Sequence, residues 1–378
     1  MKSWRRISGG VLLLSSVAAC TLPRNAPLRS EIVRNDQSQT QDFAHYEVDS
    51  KLLPVVASWR PGSGALATSG TNWPKGGTAS AKASGQIIAP GDAVEIGVWE
   101  NGDNKLMTTP GTPSAQLQAT RVSASGNVFV PYVGAVKVAG LSPDAARERI
   151  QSRVAEMIPA AQVQLNAKPG TQNSVDLVGG VASPGQIPLD DRSLTVLGLI
   201  ARGGGVPAAL TNPQLKLFRG GRSYSISMQA LTDNPANDIT VQPGDKLIVG
   251  KDERSFIALG ATGQQKVVYF PKDQISAIEA VSLLGGVDAN RANPKGVLIL
   301  RQYPASAVHA DGKGGPTNGR VVFSINLTTT DGLFSAQNFT IQPGDLVVGT
   351  ESPIVGIRTI LSLFNTSATS VYYVDRVN

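Results

Sequence analysis

Apolar and polar positions alternate in short stretches through the second half of the chain, punctuated by Gly and Pro. Val175 to Val181 and Gly185 to Leu189 read as a strand pair, and Phe256 to Ala261 with Lys266 to Phe270 read as another. After each pair the period becomes helical. One helix starts near Ser193, carries Leu194, Leu197, Ile200 and Ala201 on one face, and stops at Gly203; its counterpart uses Ile275, Ile278 and Val281 and stops at Gly285. Strands Gln214 to Phe218 and Ser223 to Met228 follow, and a last strand opens after Pro-Gly-Asp. Strand pair, helix, then further strands predict a small α+β module of the β-grasp kind.

The module occurs twice. Ile239-Thr240-Val241-Gln242-Pro243-Gly244-Asp245 returns 100 residues later as Phe339-Thr340-Ile341-Gln342-Pro343-Gly344-Asp345, while Leu194 to Val206 and Asn212-Pro213 return after 81, as Ile275 to Val287 and Asn293-Pro294. One insertion explains the difference: Gln302 to Gly319, rich in Pro, Gly, Asp and Ala, reads as a surface loop. Two homologous modules are therefore expected at 175–250 and 256–350.

A third Pro-Gly-Asp, Pro90-Gly91-Asp92, opens Ile87 to Trp99. In such a triplet Pro fixes φ, Gly permits positive φ, and Asp can bond to the backbone beyond it, so each reads as a tight launch for a strand. Downstream lie the apolar segments Gly126 to Gly134 and Val136 to Leu141, then a helix capped at Ser142-Pro143. That helix is expected to bury Ala146, Ile150, Val154 and Met157 and to end before Pro159, and a strand, Ala161 to Ala167, closes the unit. This gives a first domain at 86–168.

Composition narrows the function. With 40 Gly, 24 Pro and 16% charged residues, strands and turns should dominate. One Cys and two His exclude disulfide frameworks, zinc clusters and most His-based catalysis. There is no phosphate-binding loop ending in Lys-Ser/Thr and no Gly-x-Ser-x-Gly, and His309-Ala310-Asp311 reads as solvated loop, so neither enzyme chemistry nor a cofactor is expected. The formal net charge is +6, but Lys2, Arg5 and Arg6 lie at the N-terminus; without 1–19 the balance is 31 basic against 28 acidic residues, with no dense basic run. Nucleic acid is not an expected partner.

Residues 1–19 read as a signal peptide: the basic start, the short apolar stretch Ile7 to Ala19, then Val17-Ala18-Ala19-Cys20. Val-Ala-Ala-Cys resembles the bacterial lipobox, which makes the only cysteine, Cys20, the expected lipid anchor. Residue 21 is Thr rather than the Asp that retains many lipoproteins in the inner membrane, so the resemblance implies the outer membrane. Residues 20–85, crowded with Gly, Ser, Ala, Thr and Pro after residue 54, read as an extended linker, with Phe43 to Trp59 offering apolar anchors for a neighbouring domain.

Taken in order, Pro90-Gly91-Asp92 running to Trp99, Gly126 to Gly134 with Pro131-Tyr132, the Gly140-Leu141 step into the helix, and the strands after Pro243-Gly244-Asp245 and Pro343-Gly344-Asp345 resemble the Wza-like outer-membrane polysaccharide exporters. In that family a polysaccharide biosynthesis/export domain precedes soluble-ligand-binding β-grasp (SLBB) repeats. The resemblance implies a lipid-anchored ring homo-oligomer, its bulk in the periplasm, forming a channel that carries capsular or extracellular polysaccharide to the cell surface. It also implies an inner-membrane polysaccharide co-polymerase or tyrosine kinase as partner. The alternative is a periplasmic polysaccharide-binding or scaffold lipoprotein without its own pore.

From Ser352 to Asp375, within a terminal segment at 352–378, apolar side chains recur at Ile354, Ile357, Leu361, Phe364, Ala368 and Val371, opposite Arg358, Ser362, Asn365 and Thr369. About 24 residues at roughly 1.5 Å each would cross a hydrocarbon core of about 30 Å. The residues alone leave open a helix packed on the last module, one lying flat on the membrane, and a pore wall. The resemblance selects the pore, with the apolar stripe toward lipid, the polar face toward the lumen and the C-terminus at the cell surface. The expected fold is thus α+β: a polysaccharide-export domain, two β-grasp (SLBB) modules and a C-terminal amphipathic transmembrane helix.

Overall fold

The computed structural model describes residues 26–33, 42–59, 73–74, 85–100, 114–288 and 291–353. The chain divides into two compact units: one joins 1–66 to 253–270 and 274–378, the other holds 67–252 with 271–273. The N-terminal elements are short, α1 (Arg29–Val33), β1 (Ala44–Glu47) and α2 (Leu52–Ala57), and they belong to the first of these units.

In the second unit, the first domain is built on β2 (Ala93–Trp99), which pairs antiparallel with β3 (Ser114–Gln116) and β4 (Thr120–Arg121). A hairpin, β5 (Asn127–Val130) and β6 (Gly134–Lys137), leads into α3 (Pro143–Ala155), and β7 (Gln162–Lys168) returns along β2. The alternation of β2 puts Val94, Ile96 and Val98 in the core. The Ser142 hydroxyl caps α3 by accepting from the Ala145 N–H, and Pro143 takes the first turn. Ala146, Ile150 and Val154 are fully buried at a spacing of four, but Met157 is 56% exposed. The helix ends at Ala155, so the chain turns and buries Ile158 instead.

The first β-grasp module follows: β8 (Ser174–Gly179), β9 (Gly185–Pro188), α4 (Val196–Arg202), β10 (Gln214–Arg219), β11 (Arg222–Ser227), α5 (Met228–Asp233) and β12 (Lys246–Gly250). The sheet order is β11-β10-β12-β8-β9, with β12 parallel to β8. Thr195, not Ser193, caps α4; Ser193 bonds Asp191. The pattern did not reveal α5, which is only six residues long and buries only Leu231. Trp73, from the stretch read as linker, packs into this core and donates its indole N–H to the Asn237 carbonyl at 2.8 Å.

The second module, in the other unit, contains β13 (Ser255–Gly260), β14 (Lys266–Tyr269), β15 (Ile275–Ser276), α6 (Ala277–Leu283), β16 (Ala292–Gln302), β17 (Arg320–Ile325), α7 (Thr330–Asn338), β18 (Thr340–Ile341) and β19 (Leu346–Glu351). Its sheet order, β17-β16-β19-β13-β14, repeats the first module strand for strand, and β1 extends it by lying parallel to β17. Gln302 to Gly319 joins β16 to β17 where the first module turns at Gly220-Gly221. The loop is anchored rather than merely solvated. Tyr303 and Ala307 are buried, and Trp59 packs edge-on against both Tyr46 (centroids 5.2 Å apart) and Tyr303 (5.8 Å). Ala44, Val48 and Trp59 are therefore part of this module's core, with Tyr46, Leu52, Leu53 and Val56 packed against it.

The expectation of a C-terminal membrane-crossing helix needs correction. Among the described residues no helix is long and apolar enough to cross a membrane. The longest of them, α3, has 13 residues, or about 20 Å at 1.5 Å each, against about 30 Å of hydrocarbon, and carries charge along its length. The architecture is α+β, a first domain followed by two β-grasp modules. Ile354, Ile357, Arg358, Leu361, Ser362, Phe364, Asn365, Ala368, Thr369 and Val371 lie outside the described residues, as does Cys20.

Candidate functional site

The three Pro-Gly-Asp turns share one construction. Gly91, Gly244 and Gly344 have φ of +88°, +82° and +85°, and a Cβ would meet nothing within 4 Å at any of them. Backbone conformation, not space, requires glycine there. In each turn the aspartate bonds backward rather than onward as the sequence suggested: Asp92, Asp245 and Asp345 accept from the N–H three residues earlier, those of Ala89, Gln242 and Gln342, at 2.7 to 2.8 Å. The aspartates are 2% exposed or less.

What satisfies the remaining carboxylate oxygens differs. Asp345 receives Nε and Nη2 of Arg301 at 2.9 and 2.7 Å, and the same guanidinium donates to the Thr340 carbonyl at 2.9 Å. Asp245 is held by Arg219, which donates through Nε at 2.9 Å, and Arg219 likewise reaches the Thr240 carbonyl at 2.9 Å. Asp92 has no arginine among its bonds. It accepts from the Gly170 N–H at 2.7 Å and from the Asn173 amide at 3.4 Å, tying the first domain to the start of the first module. Gly170 cannot be larger, since a Cβ would lie 2.4 Å from the Gly91 carbonyl oxygen.

Burial opposes the Arg301 charge, yet Asp345 and Tyr303 outweigh it and hold the guanidinium above its ordinary value. Burial also pushes the Asp345 carboxyl up, opposed by Arg301 and the Gln342 N–H. Phe323 and Phe339 stack on the guanidinium at 5.3 and 5.2 Å. These turns are structural locks at strand starts: Asp245 and Asp345 sit where the last strand of each β-grasp module enters its sheet, and Asp92 where β2 opens the first domain. Neither Arg219 nor Arg301 was singled out from sequence, although they occupy matching positions near the ends of the homologous strands β10 and β16.

A groove of about 580 Å³ runs over the outer face of the second module's sheet, beside the Pro343-Gly344-Asp345 turn; Ile32, Phe43, Leu300 and Val322 give it apolar walls. Arg320 also lines it and pairs with Asp42 at 2.8 Å. His309 and Asp311 are exposed in the inserted loop. Among the described residues no group of three or more His, Cys, Asp or Glu is placed to hold a metal ion. The sites that recur are turns and surfaces.

Comparison with known proteins places these features in context. The family profile described as polysaccharide biosynthesis/export protein matches residues 80–168, and that of the SLBB domain matches 173–249. The chain is 26% identical over 295 residues to the capsule polysaccharide export outer membrane protein CtrA of Neisseria meningitidis serogroup A, covering 74% of this chain and 76% of that one. It is 26% identical to the capsule polysaccharide export protein BexD of Haemophilus influenzae over 93% of each chain. With the EPS I polysaccharide export outer membrane protein EpsA of Ralstonia nicotianae it shares 24% identity, covering 92% of this chain and 86% of the other.

Proposed function

The chain belongs to the Wza-like family of polysaccharide biosynthesis/export proteins, and from that premise we propose that it exports capsular or extracellular polysaccharide from the periplasm to the cell surface. The observation that carries this reading is the extent of the similarity to BexD, which runs through the N-terminal segment, the first domain and both β-grasp modules rather than through one shared domain. The protein works at the outer membrane as a lipid-anchored ring of identical subunits, and the polysaccharide passes through the ring. Cys20 carries the anchor: at about 0.8 kcal/mol per buried CH₂, a multiply acylated cysteine holds a protein stably to a membrane. No bond in the polysaccharide is made or broken. The driving force comes from synthesis, through an inner-membrane polysaccharide co-polymerase or tyrosine kinase that meets the periplasmic part of the ring.

Such a conduit needs rigid subunits more than reactive ones. The buried Asp-to-backbone and Asp-to-Arg bonds of the three turns supply that rigidity. The test is a chromosomal deletion complemented in trans. Cells lacking the protein are expected to lose surface polysaccharide and retain it internally, wild type to restore export, and Cys20→Ser to fail in outer-membrane retention. Normal surface polysaccharide in the deletion strain would refute the proposal, and mass spectrometry showing an unmodified Cys20 would refute the anchor.

A further inference from the structure

The sheet of the first domain has a polar face as well as a buried one. Val94, Ile96 and Val98 of β2 point into the core, so Glu95, Gly97 and Trp99 lie on the opposite face, in register with Asn166, Gln164 and Gln162 of β7. Those three β7 side chains are exposed, and none of their amides has a hydrogen-bond partner among the described residues. Lys168, at the end of the same row, reaches diagonally to Glu95 at 2.8 Å and neutralises it. The charge left on this face is that of Arg121 on β4, opposite Ala93, which is exposed and has no ion pair among the described residues.

Glycine weakens the middle of a strand and often marks a place where something must come close to the backbone. At Gly97 that something is the indole of Trp99. A Cβ on Gly97 would lie 3.3 Å from Cζ3 and 3.4 Å from Cη2 of the ring, inside the roughly 3.5–4.0 Å of an ordinary carbon contact. The side chain therefore reaches back along its own strand and lies low over the sheet. It nonetheless stays 40% exposed, whereas Trp59 and Trp73 are 6% and 5% exposed. An indole held low on a sheet beside a row of unpaired amides suits a sugar. The axial C–H groups of a pyranose carry partial positive charge and stack on the negative face of an indole, and each amide offers both a donor and an acceptor to neighbouring hydroxyls. From Gln162 to Asn166 the row runs about 13 Å at about 3.3 Å per residue, room for more than one ring of a chain. Arg121 adds a preference for a chain that carries acidic groups, because opposite charge is what complements it.

We propose that this face of the first domain binds the polysaccharide itself, with a sugar ring stacked on Trp99, hydroxyls held by Gln162, Gln164 and Asn166, and an acidic group of the chain drawn to Arg121. The site rests on the export reading above and deepens it, naming an acidic glycan as the substrate class and the first domain as a place where it is held. One stacked ring and a few exposed amides hold a chain loosely, as passage requires.

The test uses the mature full chain in detergent, titrated with size-fractionated fragments that mild acid releases from the producing cells' own surface polysaccharide, and with dextran fragments of equal length as the neutral control. Tryptophan fluorescence reports on the indole directly, since Trp59 and Trp73, the other tryptophans after Cys20, are buried. The native fragments should shift the emission and bind more tightly than dextran. Trp99→Ala should abolish the shift and weaken binding by about tenfold in calorimetry, the size of one lost aromatic contact, while Trp99→Phe retains part of it. Gln164→Ala and Arg121→Gln, both exposed, should each weaken binding with the thermal midpoint and oligomer size unchanged. Wild-type protein that binds neither set of fragments, or binding that Trp99→Ala leaves unaffected, would overturn the site while the export reading, which the deletion strain tests, stands. Native fragments without acidic groups, or dextran bound as tightly as they are, would overturn the acidic assignment. If Trp99→Ala changes the oligomer size and not the binding, the face is a protein contact and the proposal falls. Normal surface polysaccharide in the deletion strain, with fragments still bound through Trp99, would instead overturn export and leave the site standing.

Discussion

Arg301 and Asp345, at the ends of two neighbouring strands of one sheet, meet through two parallel hydrogen bonds with side chains only 2% and 1% exposed. The homologous pair, Arg219 and Asp245, has the same geometry with the arginine 19% exposed. A charge removed from water this completely is tolerated only while its partner is present.

Loss of one partner should therefore cost far more than loss of both. Asp345→Ala is expected to destabilise the second module by about 3–5 kcal/mol, because Arg301 is left buried and unpaired, whereas Arg301→Met with Asp345→Leu should come close to neutral. Asp245→Ala should cost less, since water reaches Arg219. Urea denaturation of the three variants checks the ranking, and equal losses for Asp245→Ala and Asp345→Ala would contradict it.

Glycine positions separate conformational strain from steric exclusion. Gly344→Ala, in open space at φ +85°, should cost about 1–2 kcal/mol. Gly260→Ala should cost clearly more, because its Cβ would also lie 2.2 Å from the Gly349 carbonyl oxygen. Denaturant midpoints of the two single variants make the comparison.

The docking of β1 should weaken in acid. Burial, aided by Arg29, holds His45 below its ordinary value of 6.5, with Glu47 pulling the other way, and its Nε2 lies 2.9 Å from the Ser324 hydroxyl. The folded state thus favours neutral His45, while the unfolded chain takes up a proton once the pH falls below about 6.5. The stabilisation is present in full above that value and is lost as the pH drops. Protection factors at Ala44 to Glu47, taken against the intrinsic exchange rate at each pH, should fall between pH 7 and pH 5 in wild type and change less in His45→Gln.

Trp73 should behave as a core residue of the first module despite its place in a Gly/Ser-rich stretch. Trp73→Ala is expected to cost about 3–5 kcal/mol, and limited proteolysis should expose cleavage sites within 173–250 before any within 256–350. Unchanged resistance of the first module would show the indole to be dispensable.

The strands and their order were legible because their signal is local. Period-two alternation marked β8, β9, β13 and β14, and the repeat spacings of 81 and 100 predicted twin modules with one inserted loop. What escaped was set by distant partners. Arg219 and Arg301 are ordinary strand-end arginines until the fold brings Asp245 and Asp345 beside them. Trp73 and the strand β1 sit in sequence with no periodicity of its own, and their structure comes from the modules they complete. Met157 fits the helical stripe of α3, yet the helix stops two residues earlier and the stripe no longer applies. A terminal apolar stripe likewise suggested a membrane-crossing helix, and among the described residues no helix meets the length and apolarity that requires.

The central claim, that this chain moves finished polysaccharide out of the periplasm, is tested most directly by depleting it and following a pulse of radiolabelled sugar. The label should still enter high-molecular-weight polysaccharide but stay inside the cell, and re-expression of the wild-type chain should release it to the surface. If label reaches the surface at the normal rate after depletion, or is never polymerised in its absence while synthesis enzymes are present, the protein is not the exporter.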